Sequence, residues 1–466
     1  MKDYRTMAGL VLLALVVANG AVAEEWTRFR GPNGSGVAED GAYPAELNPQ
    51  TNLLWRAAPR PGKSSPVLTE RRIFLTSFDG EKLYTQCFDR RTGELLWERA
   101  EDRNREADLN QLNEPASMTP VTDGENVYVF FRDLGVVAYS AEGELLWKTP
   151  LGPFENSMGV SSSPILAEGL LIVEADQIRG SYIAALDPAN GEIVWKTSRE
   201  EGEGWATPLI YEGSGDEAQI VTISRGWIGA HRLSDGGRLW GRNAIPPAIV
   251  ASPVVDDGVI YVFGYGNEPT SDFEGSFDRR DADSDGVLGP QEYGSHAFMV
   301  GIAKYKGDRD GLMTKEEWLT AAAATVAPSS LVAFRFGDDG GEPRELWRYE
   351  RSFIGVIPSA LVYRGVVYLI KNGGILETLD AETGEVQKRG RVREAVEGYS
   401  ASPVAADGKV YLASEGGKVV VLRANADWEV ISTNDLEEEI FATPALSQGQ
   451  IFVRTSKTLY CFGLAQ

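Results

Sequence analysis

The apolar residues of this chain fall in short runs, rich in β-branched and aromatic side chains, that Gly, Asp, Asn and Pro cut off at regular distances. Ile73-Phe74-Leu75, Val127-Tyr128-Val129, Ile260-Tyr261-Val262, Val410-Tyr411-Leu412 and Ile451-Phe452-Val453 each begin seven residues after a Pro. Runs of this length and composition between turn residues predict strands, and the short turn in front of each predicts a tight hairpin. A third run follows, such as Tyr182 to Leu186, and then Asp187-Pro188-Ala189-Asn190-Gly191, in which Gly supplies a positive φ. The fourth run ends in Trp, as in Ile193-Val194-Trp195. Four antiparallel strands in ~40–45 residues is the size of a propeller blade.

The units open with Ser65-Pro66, Thr119-Pro120, Ser163-Pro164, Thr207-Pro208, Ser252-Pro253, Ser359-Ala360, Ser402-Pro403 and Thr443-Pro444. The second positions are spaced 54, 44, 44, 45, 107, 43 and 41 residues apart, so the two long intervals mark insertions. One unit cannot bury its own apolar face and must stack on its neighbours. A Gly lies four residues before the closing Trp at Gly93/Trp97, Gly143/Trp147, Gly191/Trp195 and Gly236/Trp240, while Trp347 lacks the Gly and Lys388 takes the Trp position of the sixth unit. A large ring repeated once per blade predicts packing between blades rather than a surface for sugars or bases. The last opening is followed by three strands only, and Asn52 to Arg56 supplies a fourth strand with its own Trp55 at the other end of the chain. Joined, they make an eighth blade and hide the sheet edges. The fold expected is all-β, an eight-bladed ring closed by the N-terminal strand, with seven blades as the alternative.

The 466 residues, 43% apolar and 10% aromatic, suit a large folded core. Lys2 and Arg5 precede an apolar run from Met7 to Val17, and Ala21-Val22-Ala23 fits a cleavage site. Residues 1–23 are therefore expected to be a signal peptide, and the mature protein an exported one, periplasmic or extracellular, without a transmembrane segment. The net charge of −23 argues against nucleic acid and anionic membrane as partners. Cys87 and Cys461 stand on third strands of the first and last units, where two buried thiols are expected and a disulfide across the seam is the alternative.

The interval of 107 residues holds an insertion at 268–328, dividing the propeller into 24–267 and 329–466. Within it, Asp281-Ala282-Asp283-Ser284-Asp285-Gly286-Val287-Leu288-Gly289-Pro290-Gln291-Glu292 has the spacing of an EF-hand calcium loop. Hard oxygen ligands are expected from the Asp281, Asp283 and Asp285 side chains, the Val287 carbonyl, a water at Gly289 and both oxygens of Glu292. A second loop offers Asp308, Asp310, Leu312 and Glu317, but Lys306 puts a positive charge at its first position. It is expected to bind calcium weakly or to brace the first loop. Connections between second and third strands, and from one blade to the next, open on the same face of an up-and-down ring. Both insertions, 268–328 and the shorter one from Ala100 to Ala116, should therefore decorate one face, with Arg103, Arg105, Asn113 and Glu114 as positional candidates for contact.

Ser-Pro openings and closings such as Asp89-Arg90-Arg91-Thr92-Gly93-Glu94-Leu95-Leu96-Trp97 resemble the pyrroloquinoline-quinone-type propeller repeat. The ends of the chain, Trp26-Thr27-Arg28-Phe29-Arg30-Gly31-Pro32-Asn33-Gly34-Ser35-Gly36 and Leu459-Tyr460-Cys461-Phe462-Gly463, are similar to those of exported BamB-like proteins. That resemblance implies a non-catalytic binding scaffold for a protein or peptide partner. The quinone dehydrogenases that share the repeat carry an adjacent cysteine pair beside the cofactor, which this sequence lacks, so the quinone is not expected; calcium is, from the loop at Asp281 to Glu292. A quinone-dependent dehydrogenase is the alternative function. His231 and His296 are the only histidines and form no nucleophile–base arrangement, so no catalytic residue is assigned.

Overall fold

The computed structural model describes residues 25–38, 41–105, 113–247, 250–267, 271–294, 297–305, 308–337, 341–351 and 357–464, apart from 214–217. The predicted signal peptide and His296 lie outside the described residues. Eight four-stranded antiparallel sheets follow one another around a ring. Blade 1 is Val67–Leu68, Arg72–Phe78, Lys82–Asp89 and Leu95–Asp102, and blades 2 to 7 repeat this order. Blade 8 takes its three inner strands from Ala445–Ser447, Gln450–Arg454 and Leu459–Gly463, and its outer strand from Leu53–Ala57, which pairs with Leu459–Gly463. The middle strands are buried almost throughout, while the outer strand of each blade alternates toward solvent. The core therefore runs as a belt between the blades.

The Gly and Trp of the repeat meet across blade boundaries. Trp55, Trp97, Trp147, Trp195 and Trp347 donate their indole N–H to the carbonyls of Arg90, Ala141, Pro188, Leu233 and Ala381, each in the third-to-fourth strand turn of the next blade. Each ring covers the left-handed glycine of that turn. A Cβ at Gly93, Gly143, Gly191, Gly236 or Gly384 would come within 2.3–2.6 Å of the indole. Glycine is therefore needed there twice over, for its φ and for its missing side chain. At the sixth blade Lys388 replaces the Trp, and its ammonium donates to the carbonyls of Asp427 and Trp428 in the equivalent turn. The hydrogen bond is kept where the ring is lost.

The insertion leaves blade 5 between Val259–Gly264 and Ser330–Arg335. Its stem is closed by Asn267, which bonds Thr325 and Ala327 through the backbone and the Thr325 hydroxyl through its side chain. It contains helices α1 (Phe273–Asp278), α2 (Pro290–Tyr293), α3 (Ala297–Tyr305) and α4 (Lys315–Ala323), and a two-residue ladder pairs Val287 with Thr314 and Leu288 with Met313. Phe277, Leu288, Tyr293, Met299, Ile302, Met313 and Trp318 form a core of its own.

Candidate functional site

The Ser or Thr that opens each blade has a structural task. The backbone N–H of Ser65 donates to the Thr119 hydroxyl, Thr119 to Ser163, Ser163 to Thr207, Thr207 to Ser252, Ser252 to Ser359, Ser359 to Ser402, Ser402 to Thr443, and Thr443 back to Ser65, all at 2.9–3.0 Å. Eight hydrogen bonds thus close a circle around the axis. Ser359 keeps its place although the following Pro is Ala360, because the hydroxyl and not the proline makes the bond.

Above this circle the axis widens into a funnel of about 340 Å³. Its wall comes from residues two before each opening, among them Lys63, Ser161, Trp205, Ile357 and Phe441, with Asn113, Met158 and Tyr265 from the connections. No carboxylate lines it among the described residues. The Lys63 ammonium lies 3.7 Å from Glu114 and over the Phe441 ring. Trp205 is held by its indole N–H, which donates to the Asn156 side chain at 3.0 Å.

The segment Trp26–Ala38 threads under the circle and closes the channel from the opposite side. Its carbonyls and amides bond blade 1 at Leu68, blade 2 at Thr122 and blade 7 at Ala405. Phe29 forms part of the funnel floor. The guanidinium groups on either side of it reach up to the inner strands, Arg28 to the Pro208 carbonyl and Arg30 to the Ala360 carbonyl, both at 2.8 Å. Both carbonyls sit one residue past the hydroxyl circle. Among the described residues neither arginine has a carboxylate partner, and Nε of both, with Nη1 of Arg30, is buried without a hydrogen bond. Burial pushes Arg28 down to about 10 and Arg30 to about 9, and both remain cationic at neutral pH.

In the insertion, Asp281, Asp283 and Asp285 bring one carboxylate oxygen each to within 4.8 Å of the others. Gly286, with φ 82°, makes the sharp turn, and Asp281 accepts from its amide at 3.0 Å. Asp285 accepts from Val287 at 2.8 Å. Glu292, at the last position, is outside that cluster of three: its two oxygens accept from Ala282 and Gly289 at 2.9 Å. The second loop repeats the scheme, with Asp310 accepting from Leu312 at 2.7 Å, Asp308 from Asp310 at 3.2 Å, and Glu317 from Asp308 and Thr314. From this loop Arg309 reaches Glu155, 3.3 Å away on the connection into blade 3. The next residue on that connection is Asn156, which holds Trp205.

The four positional candidates are mostly engaged within the ring. Arg103 pairs with Asp133 at 2.7 Å, and Arg105 donates to the Arg132 and Leu151 carbonyls. Asn113 and Glu114 instead stand at the funnel, the first on its wall and the second beside Lys63. His231 is buried beside Arg199, away from the funnel wall. Cys87 and Cys461 are free and buried, and desolvation pushes both thiols up to about 12. Sequence reasoning missed the hydroxyl circle, Trp205 and the arginine plug. The conserved hydroxyl at Ser359, where the Pro is lost, was the one available signal.

The model of the PQQ_2 family, outer membrane protein assembly factor BamB, matches residues 37–177, 86–284 and 338–466. No curated protein matches the sequence. Among solved structures, BamB from Moraxella catarrhalis has a TM-score of 0.56 at 13% identity, covering 88% of this chain and 97% of that one. A europium-containing methanol dehydrogenase gives 0.58 at 11% identity over 95% and 99% of the two chains, and the computationally designed Ika8 protein 0.52 at 10% over 89% and 100%. At these identities the likeness is one of fold.

Proposed function

Because the chain belongs to the PQQ_2 family of the outer membrane protein assembly factor BamB, we propose that it is an exported, non-catalytic propeller that binds calcium in an EF-hand insertion and holds a protein, peptide or small ligand on the face where that insertion stands. The observation that carries this reading is the convergence on one funnel mouth. Tyr265 at the root of the insertion, Asn113 from the shorter insertion and Met158 from the loop beside Glu155 all line it. No helix among the described residues is long and apolar enough to cross a membrane.

In the calcium reading, the carboxylates of Asp281, Asp283, Asp285 and Glu292 supply hard oxygens, with the Val287 carbonyl and a water at Gly289, and the ion braces the loop against the repulsion of its own acids. Titration of the mature protein with calcium tests this: Asp281→Ala should lose the tightest site, and an isotherm unchanged by that substitution would remove the claim. Crosslinking in envelope extract should capture a partner that variants of the funnel mouth fail to hold. Capture that is indifferent to those variants would place the partner elsewhere.

A second reading, a quinone-dependent dehydrogenase, draws support from the fold shared with the europium-containing methanol dehydrogenase. The donor set of the funnel does not fit that cofactor well. It offers hydroxyls and Lys63 but, among the described residues, no carboxylate to hold a metal beside a quinone, and neither cysteine lies on its wall. Dye-linked alcohol oxidation after addition of calcium and the quinone would decide for this reading.

A further inference from the structure

We propose that the axial funnel binds a small ligand headed by an oxyanion, a carboxylate or a phosphate, with the charged head at the hydroxyl circle and an apolar body against Trp205, Tyr265 and Phe441. The inference deepens the ligand-binding reading above and stands apart from the calcium site.

Three observations carry it. First, each hydroxyl of the circle accepts a neighbour's backbone N–H. The circle lines the funnel, and among the described residues its eight hydroxyls take part in hydrogen bonds as acceptors. With one lone pair of each hydroxyl taken by a backbone N–H, each still has its proton to give, and eight such protons around one axis suit a group that only accepts. Second, two buried guanidinium groups bond the carbonyls one residue past the circle, and among the described residues their partners are all neutral oxygens. A buried cation without a counter-ion is costly unless something negative comes near it. Here the orphaned N–H groups of Arg28 and Arg30 leave their field unanswered along the axis, in a low-dielectric channel that screens it poorly. Third, no carboxylate is among the described residues that line the wall, and Glu114 beside it is paired with Lys63, in a chain whose net charge is −23. Low-dielectric walls focus such a field toward the mouth.

The shape selects more than a bare ion. A funnel of about 340 Å³ with aromatic and aliphatic walls would leave apolar surface wet around an inorganic anion, and pockets of this size bury ligands with a hydrophobic body and one or two placed polar groups. Phe29 stops the ligand from descending to the arginines, so they act through their field and the hydroxyls make the contacts.

Benzoate, phenyl phosphate and the neutral isostere benzamide can be titrated calorimetrically into the mature protein. Benzoate or phenyl phosphate should bind at least tenfold more tightly than benzamide, and whichever binds better names the head group. Arg30→Met should weaken the anion at least fivefold. Ser161→Trp, which fills the wall at a position where blade 4 itself carries Trp205, should abolish binding with no change in melting temperature. It keeps the test decisive even if Arg30→Met fails to fold. Asp281→Ala should leave anion binding unchanged, so that loss of one site is told from loss of the other. Equal affinity for benzamide, or anion binding that survives Ser161→Trp, would overturn the proposal.

Discussion

Gly191 and Gly169 both hold left-handed backbone, with φ of 75° and 76°, yet only the first lies under an indole. An alanine at Gly169 would meet nothing within 4 Å, whereas at Gly191 its Cβ would come within 2.4 Å of Trp147. Gly169→Ala should therefore cost about 1 kcal/mol, the strain of the conformation alone. Gly191→Ala should cost about 2–4 kcal/mol, because the ring must leave its seat as well. Denaturant melts of the two variants measure the difference, and equal losses would show that Trp docking is not what the glycine serves. His231 gives a second test at this scale. Its Nδ1 donates to the Gly236 carbonyl at 3.1 Å and Nε2 lies 3.4 Å from the Arg199 guanidinium, so the neutral ring suits both neighbours. Burial, then Arg199, pushes it down to about 4 from an ordinary 6.5. The unfolded chain thus binds the proton first, and stability fully present above pH 6.5 falls as pH drops toward 4, by about 3 kcal/mol at most. Glu174 and Asp176, which share Arg199, are shifted upward by burial and act in the opposite sense. The informative quantity is therefore the stability of His231→Gln minus that of wild type, which should rise as pH falls from 6.5 to 4 and stay constant above pH 6.5.

The helical insertion behaves as a unit because it has its own core, a stem at Asn267 and a ladder joining its two loops. Its second loop departs from the first chiefly at Lys306, where an ammonium replaces the acid that opens the site. On the calcium reading proposed above, Lys306→Asp should raise the stoichiometry from one to two, and the new site should depend on Asp308, Asp310 and Glu317. A stoichiometry still at one would mean that the second loop serves the first only through the ladder. The blades were legible in the sequence, since a blade is a local alternation of strands and turns, and the insertion was legible as a stretched interval between them. The hydroxyl circle was not, because each bond joins residues about 40 positions apart and Ser-Pro looks like mere turn punctuation. The plug was hidden for the same reason: Arg28 and Arg30 are ordinary cations until the chain threads them under the axis, where burial removes their solvent. Exposed pairs such as Leu95–Leu96 and Leu145–Leu146 on the outer strands also escape a simple in–out reading.

The ring as a whole is held by bonds that repeat around it, but its one discontinuity in sequence lies within blade 8. There the outer strand Leu53–Ala57 pairs with Leu459–Gly463 with no hairpin linking the two, and the segment before it is held to blade 7 through Leu47 and Pro44. Trp55 fastens that strand outward as well, donating to the Arg90 carbonyl at 3.0 Å and covering Gly93 of blade 1. Trp195 makes the same contacts with blade 4, donating to Leu233 at 3.0 Å and covering Gly236, but its strand continues directly from the inner strands of its own blade. Truncation of either ring should cost about 3–5 kcal/mol of global stability, since both lose comparable packing. Their local consequences should differ. In Trp55→Ala the strand loses its outward anchor and is left with the ladder and the flanking bonds to blade 7, so it should open before the rest unfolds, and amide exchange at Leu459–Gly463 should accelerate by an order of magnitude or more while blades 3 to 5 stay protected. In Trp195→Ala the neighbouring strand remains tethered at both ends, and exchange at Ser181–Leu186 should rise only as far as the global loss requires. If the two variants exchange alike at their third strands, closure by the N-terminal strand is no weaker than a continuous blade, and the hydroxyl circle with the plug beneath it, rather than the outer ladder, is what keeps the ring shut.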